Sequence, residues 1–90
     1  MYDFNKNITA TIKDKNFIRT YITRGNVYFK QENYIKAAED YKTALKINPE
    51  LNELNYNIGR CYYRQAQYTD ALTYFDRAIK KNPRDPKFYE

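Results

Sequence analysis

The chain has 90 residues, enough for one small domain that buries only a limited share of its surface. Hydrophobic residues make up 42% and charged residues 30%, with both signs interspersed, which argues against disorder driven by a single-sign tail. The net charge of +5 favours acidic partners. One cysteine excludes an internal disulfide, and no apolar run reaches the length of a signal-peptide core or a membrane span, so we expect a cytoplasmic location.

The first segment, residues 1–17, contains apolar residues at helical spacing, namely Phe4, Ile8 and Ile12. Its β-branched and asparagine-rich composition nevertheless forms helices poorly. We therefore predict an N-terminal arm or a short helix for residues 1–17.

From residue 18 onward the sequence consists of two similar units. Residues 18–51 align with 52–85 without a gap, and nine positions are identical. Within each unit, apolar and small residues recur at intervals of three and four, which predicts two helices per unit. The stretches "QENY" and "QAQY" between them are long enough only for a tight turn, so the two helices should form an antiparallel hairpin.

Proline marks the end of each predicted hairpin. Pro49 and Pro83 lack a backbone N–H and disfavour helical geometry in the preceding residue, so each should end the second helix of its unit. Asp85 and Pro86 then resemble an N-cap followed by the first turn of a new helix. Residues 86–90 are accordingly predicted to start a third repeat or a capping helix.

Small residues stand at fixed places among bulky tyrosines in both units. Helix axes approach closely only where the side chain between them is small, so these residues are predicted to mark the helix crossings. The predicted packing residues are Gly25, Ala37, Ala44, Gly59, Ala71 and Ala78.

The pattern resembles the tetratricopeptide repeat (TPR) family, whose unit reads Trp-x-x-Leu-Gly-x-x-Tyr, then Ala-x-x-x-Phe-x-x-Ala, then Pro. The matching residues are Tyr21, Gly25, Tyr28, Ala37, Tyr41, Ala44 and Pro49 in the first unit and Ile58, Gly59, Tyr62, Ala71, Phe75, Ala78 and Pro83 in the second. Two positions depart from it: Arg24 replaces the family's Leu, which hints that this is the first repeat of its array, and Asn55 replaces an aromatic residue. The resemblance implies an all-α fold in which antiparallel helical hairpins stack as a right-handed α-solenoid.

The first helix of each unit also presents a face opposite the packing residues. Stacked hairpins place these faces side by side on one concave surface, and TPR arrays commonly bind peptides or partner helices there. The cationic and aromatic residues suit an acidic segment or a free C-terminal carboxylate. The predicted groove residues are Arg19, Ile22, Asn26, Phe29, Lys30, Tyr56, Asn57, Arg60, Tyr63, Arg64 and Lys87.

A narrower hypothesis follows from the resemblance to chaperone-binding TPR domains, which clamp a peptide's terminal carboxylates. Asn26, Asn57 and Lys87 fall at three of the clamp positions, whereas Ile22 replaces the first lysine. The pattern thus supports a non-catalytic scaffold or adaptor that binds a protein or peptide, with part of a carboxylate clamp.

Two further function classes stay open at this point. A chain with two complete repeats leaves the helix of Ala71, Phe75 and Ala78 incompletely covered, so a second copy could pack there and form a homo-oligomer. Basic residues and tyrosines could also bind single-stranded RNA, although the even spread of charge favours a protein partner over nucleic acid. Histidine and metal-ligand clusters are absent from the sequence, and Cys61 aligns with Val27, so we expect no catalytic residue, metal or cofactor.

Overall fold

The computed structural model describes residues 15–81, with side chains from Phe17 onward, as four α-helices. They are α1 (Lys15–Lys30), α2 (Tyr34–Ile47), α3 (Glu53–Arg64) and α4 (Tyr68–Lys81). Helix α1 packs on α2, α2 on α3 and α3 on α4, so two hairpins stack through α2 and α3. Residues 15–81 contain no strand, and the predicted all-α hairpin fold is confirmed.

Three of the predicted boundaries concern the ends of the chain. Helix α1 begins at Lys15, three residues before the predicted repeat boundary at residue 18. The rest of the predicted N-terminal arm, the predicted stop at Pro83, and the predicted third repeat over 86–90 lie outside the described residues.

The two hairpin turns have the same backbone geometry. Glu32 and Ala66, which occupy equivalent positions in the two units, both adopt a left-handed conformation with φ of 62° and 60°. The amide of Asn33 donates to the carbonyl oxygen of Tyr28, and that of Gln67 donates to Tyr62, at 2.8 and 2.9 Å. These bonds close the C-terminal ends of α1 and α3 and turn the chain back within three residues.

Asparagine residues define both ends of α2. The side chain of Asn33 accepts a hydrogen bond from the amide of Lys36, which satisfies one N–H of the first turn. Asn48 has an extended backbone with φ of −136°, as expected for the residue before Pro49. The predicted proline stop therefore matches the end of α2 at Ile47.

The core lies where α2 is enclosed by α1 and α3. Ala37 and Ala44 are fully buried, and a Cβ atom added to Gly25 would stand 2.8 Å from Cε1 of Tyr41. In the second hairpin, a Cβ atom on Gly59 would stand 2.6 Å from Cε1 of Phe75. At each glycine, an aromatic ring of the next helix therefore packs directly against the backbone.

An enlarged side chain at one of these crossings should separate the helices. Ala44→Leu is expected to lower the free energy of unfolding by about 1–3 kcal/mol through overpacking of a fully buried position. Urea denaturation followed by circular dichroism measures this change. Lys46→Leu, an exposed position on the same helix, is the control, and equal stability of the two variants would contradict the packing scheme.

An ion pair occupies the first hairpin where the family pattern has leucine. Nε and Nη2 of Arg24 donate to the two carboxylate oxygens of Asp40 at 2.8 and 2.7 Å, and the Asp40 residue is only 5% exposed. This bond and the negative charge of Asp40 raise the pKa of Arg24 above its ordinary value. The guanidinium group also lies over the rings of Tyr21 and Tyr28, at 5.7 and 5.9 Å from their centroids.

The second hairpin has uncharged residues at the positions of this ion pair. Ile58 and Tyr74 occupy the places that Arg24 and Asp40 have in the first unit. Ile58 is fully buried, and Tyr74 packs against the same core. The two hairpins therefore share one backbone arrangement, with an ion pair in the first and core residues at the equivalent positions of the second.

Replacing both members of the ionic pair should cost less than the sum of the two single replacements. Arg24→Ile leaves the buried Asp40 carboxylate without its cation and is expected to cost about 1–3 kcal/mol. Arg24→Ile with Asp40→Tyr reproduces the second hairpin's pair, so its cost should be less than the sum of the two single changes. Chemical denaturation of all three variants gives this coupling, and strict additivity would contradict the pairing.

The other departure from the family pattern, Asn55, is also buried, with 4% of its surface exposed. Its Nδ2 donates to Oδ1 of Asn52 at 3.3 Å, and Nδ2 of Asn52 donates to the carbonyl oxygen of Ala78 at 2.9 Å. Within the described part of the chain, Oδ1 of Asn55 has no hydrogen-bond partner. Asn52 thus ties the start of α3 to the end of α4.

Candidate functional site

The groove consists of three adjoining depressions, of which the first two lie between α1 and α3 and the third lies between α3 and α4. We call the depression of about 500 Å³ its acidic end; it is lined by Ile22, Asn26, Glu50, Leu51, Asn52, Glu53, Leu54 and Asn57. The middle, of about 600 Å³, is lined by Asn26, Phe29, Lys30, Glu32, Tyr34, Tyr41 and Arg60. The basic end, of about 320 Å³, is lined by Arg60, Tyr63, Arg64 and Phe75. Asn26 lines both the acidic end and the middle, and Arg60 lines both the middle and the basic end, so neighbouring depressions adjoin.

Eight of the residues predicted for the groove line one of these depressions. They are Ile22, Asn26, Phe29, Lys30, Asn57, Arg60, Tyr63 and Arg64. Arg19 is exposed on α1 but lines none of the three depressions, and Tyr56 packs instead on Phe75, with ring centroids 5.7 Å apart. Lys87 lies outside the described residues.

Two arginines of α3 converge on one aromatic ring of α1. Cζ of Arg60 lies 4.6 Å and Cζ of Arg64 lies 6.0 Å from the ring centroid of Phe29. The edge of this ring meets that of Tyr34, at 5.0 Å and 73°, which fixes its orientation. Among residues 15–81, neither arginine has a carboxylate within ion-pair distance. Their donors can therefore reach an anionic ligand.

Asn26, at the junction of the acidic end and the middle, is held from beneath by α2. The hydroxyl group of Tyr41 donates to Oδ1 of Asn26 at 2.5 Å. Burial raises the pKa of Tyr41 to about 12, so its phenol remains a protonated donor at neutral pH. Because Oδ1 accepts from Tyr41, the Nδ2 amino group of Asn26 is the part available to donate to a ligand.

Sequence reasoning missed several residues of the acidic end. Glu50, Leu51 and Asn52 belong to the loop between α2 and α3, whose course helical periodicity does not define. It also missed the contact between Tyr41 and Asn26. A signal for that contact exists in the repeat itself: the second unit changes both positions together, to Phe75 and Arg60.

The remaining reactive group near the groove is the Cys61 thiol. It is fully buried, and burial raises its pKa to about 11, with the charge of Arg60 acting weakly in the opposite direction. The thiol is therefore protonated at neutral pH and packs as an apolar group. Within residues 15–81, no three His, Cys, Asp or Glu residues are grouped to hold a metal ion, and no described helix is long and apolar enough to cross a membrane.

The helical hairpins, their crossings at small residues and the groove along their first helices define a helical-repeat protein. Residues 22–86 match the family model described as tetratricopeptide repeat. The chain belongs to the tetratricopeptide repeat family, and the resemblance seen in the sequence is confirmed. Repeats of this family are in general protein-interaction modules, and the family assignment supports this general role.

Individual relatives agree with the family assignment. Tetratricopeptide repeat protein 16 of Mus musculus is 32% identical over 76 residues, covering 77% of this chain and 10% of that protein. Intraflagellar transport protein 88 homolog of Homo sapiens is 32% identical over 80 residues, covering 80% of the chain and 10% of that protein. Protein O-mannosyl-transferase TMTC1 of Homo sapiens is 30% identical over 63 residues, covering 70% of this chain and 7% of that protein.

The chain therefore spans a tenth or less of the length of these three relatives. The family match over residues 22–86 includes residues of both hairpins, while each relative is similar over only a small part of its own length. It supports the repeat fold and the general role in protein interaction.

Proposed function

We propose that the groove binds an extended peptide segment and holds an acidic group of that segment at Arg60 and Arg64. The single observation that carries this proposal is the placement of both guanidinium groups over the Phe29 ring without a carboxylate partner among residues 15–81. A carboxylate could accept hydrogen bonds from both arginines while the ring limits their movement. In this role the chain would act as a cytoplasmic scaffold or adaptor that recruits a partner protein.

The amide side chains of the groove suit the backbone of such a segment. The amino group of Asn26 can donate to a peptide carbonyl, and Asn57 lines the opposite wall of the same depression. Lys30, at the last turn of α1, adds positive charge to the middle of the groove. A peptide would thus meet side-chain amide donors near Asn26 and cationic groups toward Arg64.

The carboxylate-clamp hypothesis fits this charge distribution only in part. Asn26 and Asn57 do line one depression, but Ile22, Glu50 and Glu53 line it as well, and none of its described lining residues is basic. We therefore propose that the carboxylate is bound at the basic end instead. An acidic side chain and a free C-terminus share this chemistry, and amidation of a peptide's C-terminus distinguishes them.

Removing the polar side chains of α3 that face the groove should abolish peptide binding with little effect on folding. The variant carrying Asn57→Ala, Arg60→Ala and Arg64→Ala is expected to keep its helicity, because all three residues lie on the groove face and none is fully buried. Binding of an acidic peptide, followed by nuclear magnetic resonance titration, should be lost.

The control is the pair Lys46→Ala and Lys80→Ala, which removes the same charge from exposed positions outside the groove. Unchanged binding in the α3 variant, or equal losses in variant and control, would contradict the groove assignment. A single-stranded RNA oligonucleotide in the same titration tests the nucleic-acid alternative, whose binding should fall steeply with salt.

A second candidate is self-association through α4. Leu72 is 62% exposed, whereas its counterpart in the first unit, Ala38, is 4% exposed because α3 covers α2. Tyr68, on the same helix one turn earlier, is 56% exposed. Another copy of the chain could cover this face and bury its apolar side chains.

The exposed leucine makes this alternative testable. If α4 mediates association, the mass in sedimentation experiments should rise with concentration, and Leu72→Glu should return the chain to a monomer by placing a charge in the contact. Ile35→Glu, at a similarly exposed position of 64% on α2, is the control. A monomeric mass at every dilution would contradict self-association.

A further inference from the structure

The acidic end of the groove carries the opposite charge from the basic end. Glu50 and Glu53 line it, and the apolar side chains of Ile22, Leu51 and Leu54 form its walls. Ile22 and Leu51 are half-buried, so they offer apolar surface to a ligand, while Glu50 is exposed at the rim. A depression with apolar walls and a carboxylate at its rim fits a long aliphatic side chain that ends in a cation.

The loop that carries Glu50 is held in place by its neighbours. The amide of Glu50 donates to Oδ1 of Asn48 at 3.1 Å, and Nζ of Lys81 donates to the carbonyl oxygen of Pro49 at 2.6 Å. One bond is local and the other joins the loop to α4. The backbone of the loop at Glu50 is thus fixed by the stack of the two hairpins, and its side chain extends from a defined position.

The helix geometry sets the distance between the two charged ends. Along α3, Arg60 is seven positions after Glu53, and Arg64 is eleven positions after it. At a rise of about 1.5 Å per residue these intervals are about 10 and 16 Å. An extended peptide advances about 3.3 Å per residue, so it covers them in about three and five residues.

From these observations we infer that the acidic end is a subsite for a lysine or arginine side chain of the bound peptide. The cation lies about three to five residues from the acidic group that binds at Arg60 and Arg64. The inference rests on the proposed function and adds a charge spacing to it: the ligand carries charges of both signs, and their separation matches that of the two ends. The aliphatic stem of the cationic residue lies along Ile22 and Leu51, and its charged group faces Glu50.

The test uses the peptide Lys-Ala-Leu-Asp-Ala-Asp, acetylated and amidated, with the full chain labelled with nitrogen-15. Two companion peptides replace the lysine by norleucine, which keeps the stem without the charge, or by glutamate. A third moves the lysine next to the first aspartate. The protein variants are Glu50→Lys and, as a control with the same change in net charge, Glu39→Lys, an exposed position on α2 outside the groove.

The lysine peptide should bind wild type about 1.4- to fivefold more tightly than the norleucine peptide, the range expected for one exposed ion pair. The peptide with the displaced lysine should resemble the norleucine peptide. Glu50→Lys should weaken binding of the lysine peptide and strengthen that of the glutamate peptide, relative to Glu39→Lys. The backbone and side-chain amide signals of Asn26 and Asn57 should shift in each case where binding occurs.

Equal affinity of wild type for the lysine and norleucine peptides, or identical behaviour of Glu50→Lys and Glu39→Lys, would overturn the subsite. In that outcome, binding of the norleucine peptide that still depends on Arg60 and Arg64 leaves the proposed function intact. Absence of binding by every peptide overturns both the subsite and the proposed function.

Discussion

The close approach of helices at glycine and alanine is the constraint on which the rest of the molecule depends. Tyr41 lies against Gly25 and Phe75 lies against Gly59, each with no room for a Cβ atom between ring and backbone. Because the Tyr41 ring fits against Gly25, α2 lies close behind α1. The hydroxyl group of Tyr41 can therefore reach Asn26 in the groove and hold it. The small residues that pack the hairpins thus also place the groove residues.

Both hairpins keep this backbone arrangement while exchanging pairs of side chains. Arg24 and Asp40 form an ion pair where the second hairpin has Ile58 and Tyr74. Partners that touch across a hairpin are free to vary only together, because one changed member would leave a buried charge or a gap. Repetition therefore fixes the shape of the unit, and paired differences between the units carry their separate chemistry.

The hairpins could be predicted from the sequence because their signals are local and occur twice. Spacing of three and four residues, a tight turn and Pro49 are sufficient to define two helices. The same periodicity assigned Asn26, Phe29 and Arg60 to the groove face. It could not assign Glu50 and Leu51, because a loop has no periodicity from which its direction follows.

Other features of the structure depend on contacts between helices, which single positions do not reveal. Arg24 was interpreted from its own position as a sign of the first repeat of an array, whereas its partner Asp40 is sixteen residues away on the next helix. A single helix face is also wider than a groove, so periodicity alone included Tyr56, whose ring packs on Phe75.

The shape of the groove determines where binding energy can come from. Its depressions are shallow and lie between two helices, so a bound segment would bury less apolar surface than in a closed pocket. Contacts with exposed charges are individually weak. The contact of Arg60 and Arg64 with Phe29 offsets part of this weakness, because side chains already held on a ring lose less conformational freedom when a ligand binds. Selectivity in such a groove then depends on how many of these fixed groups a ligand meets at once, and therefore on the spacing of its own charges.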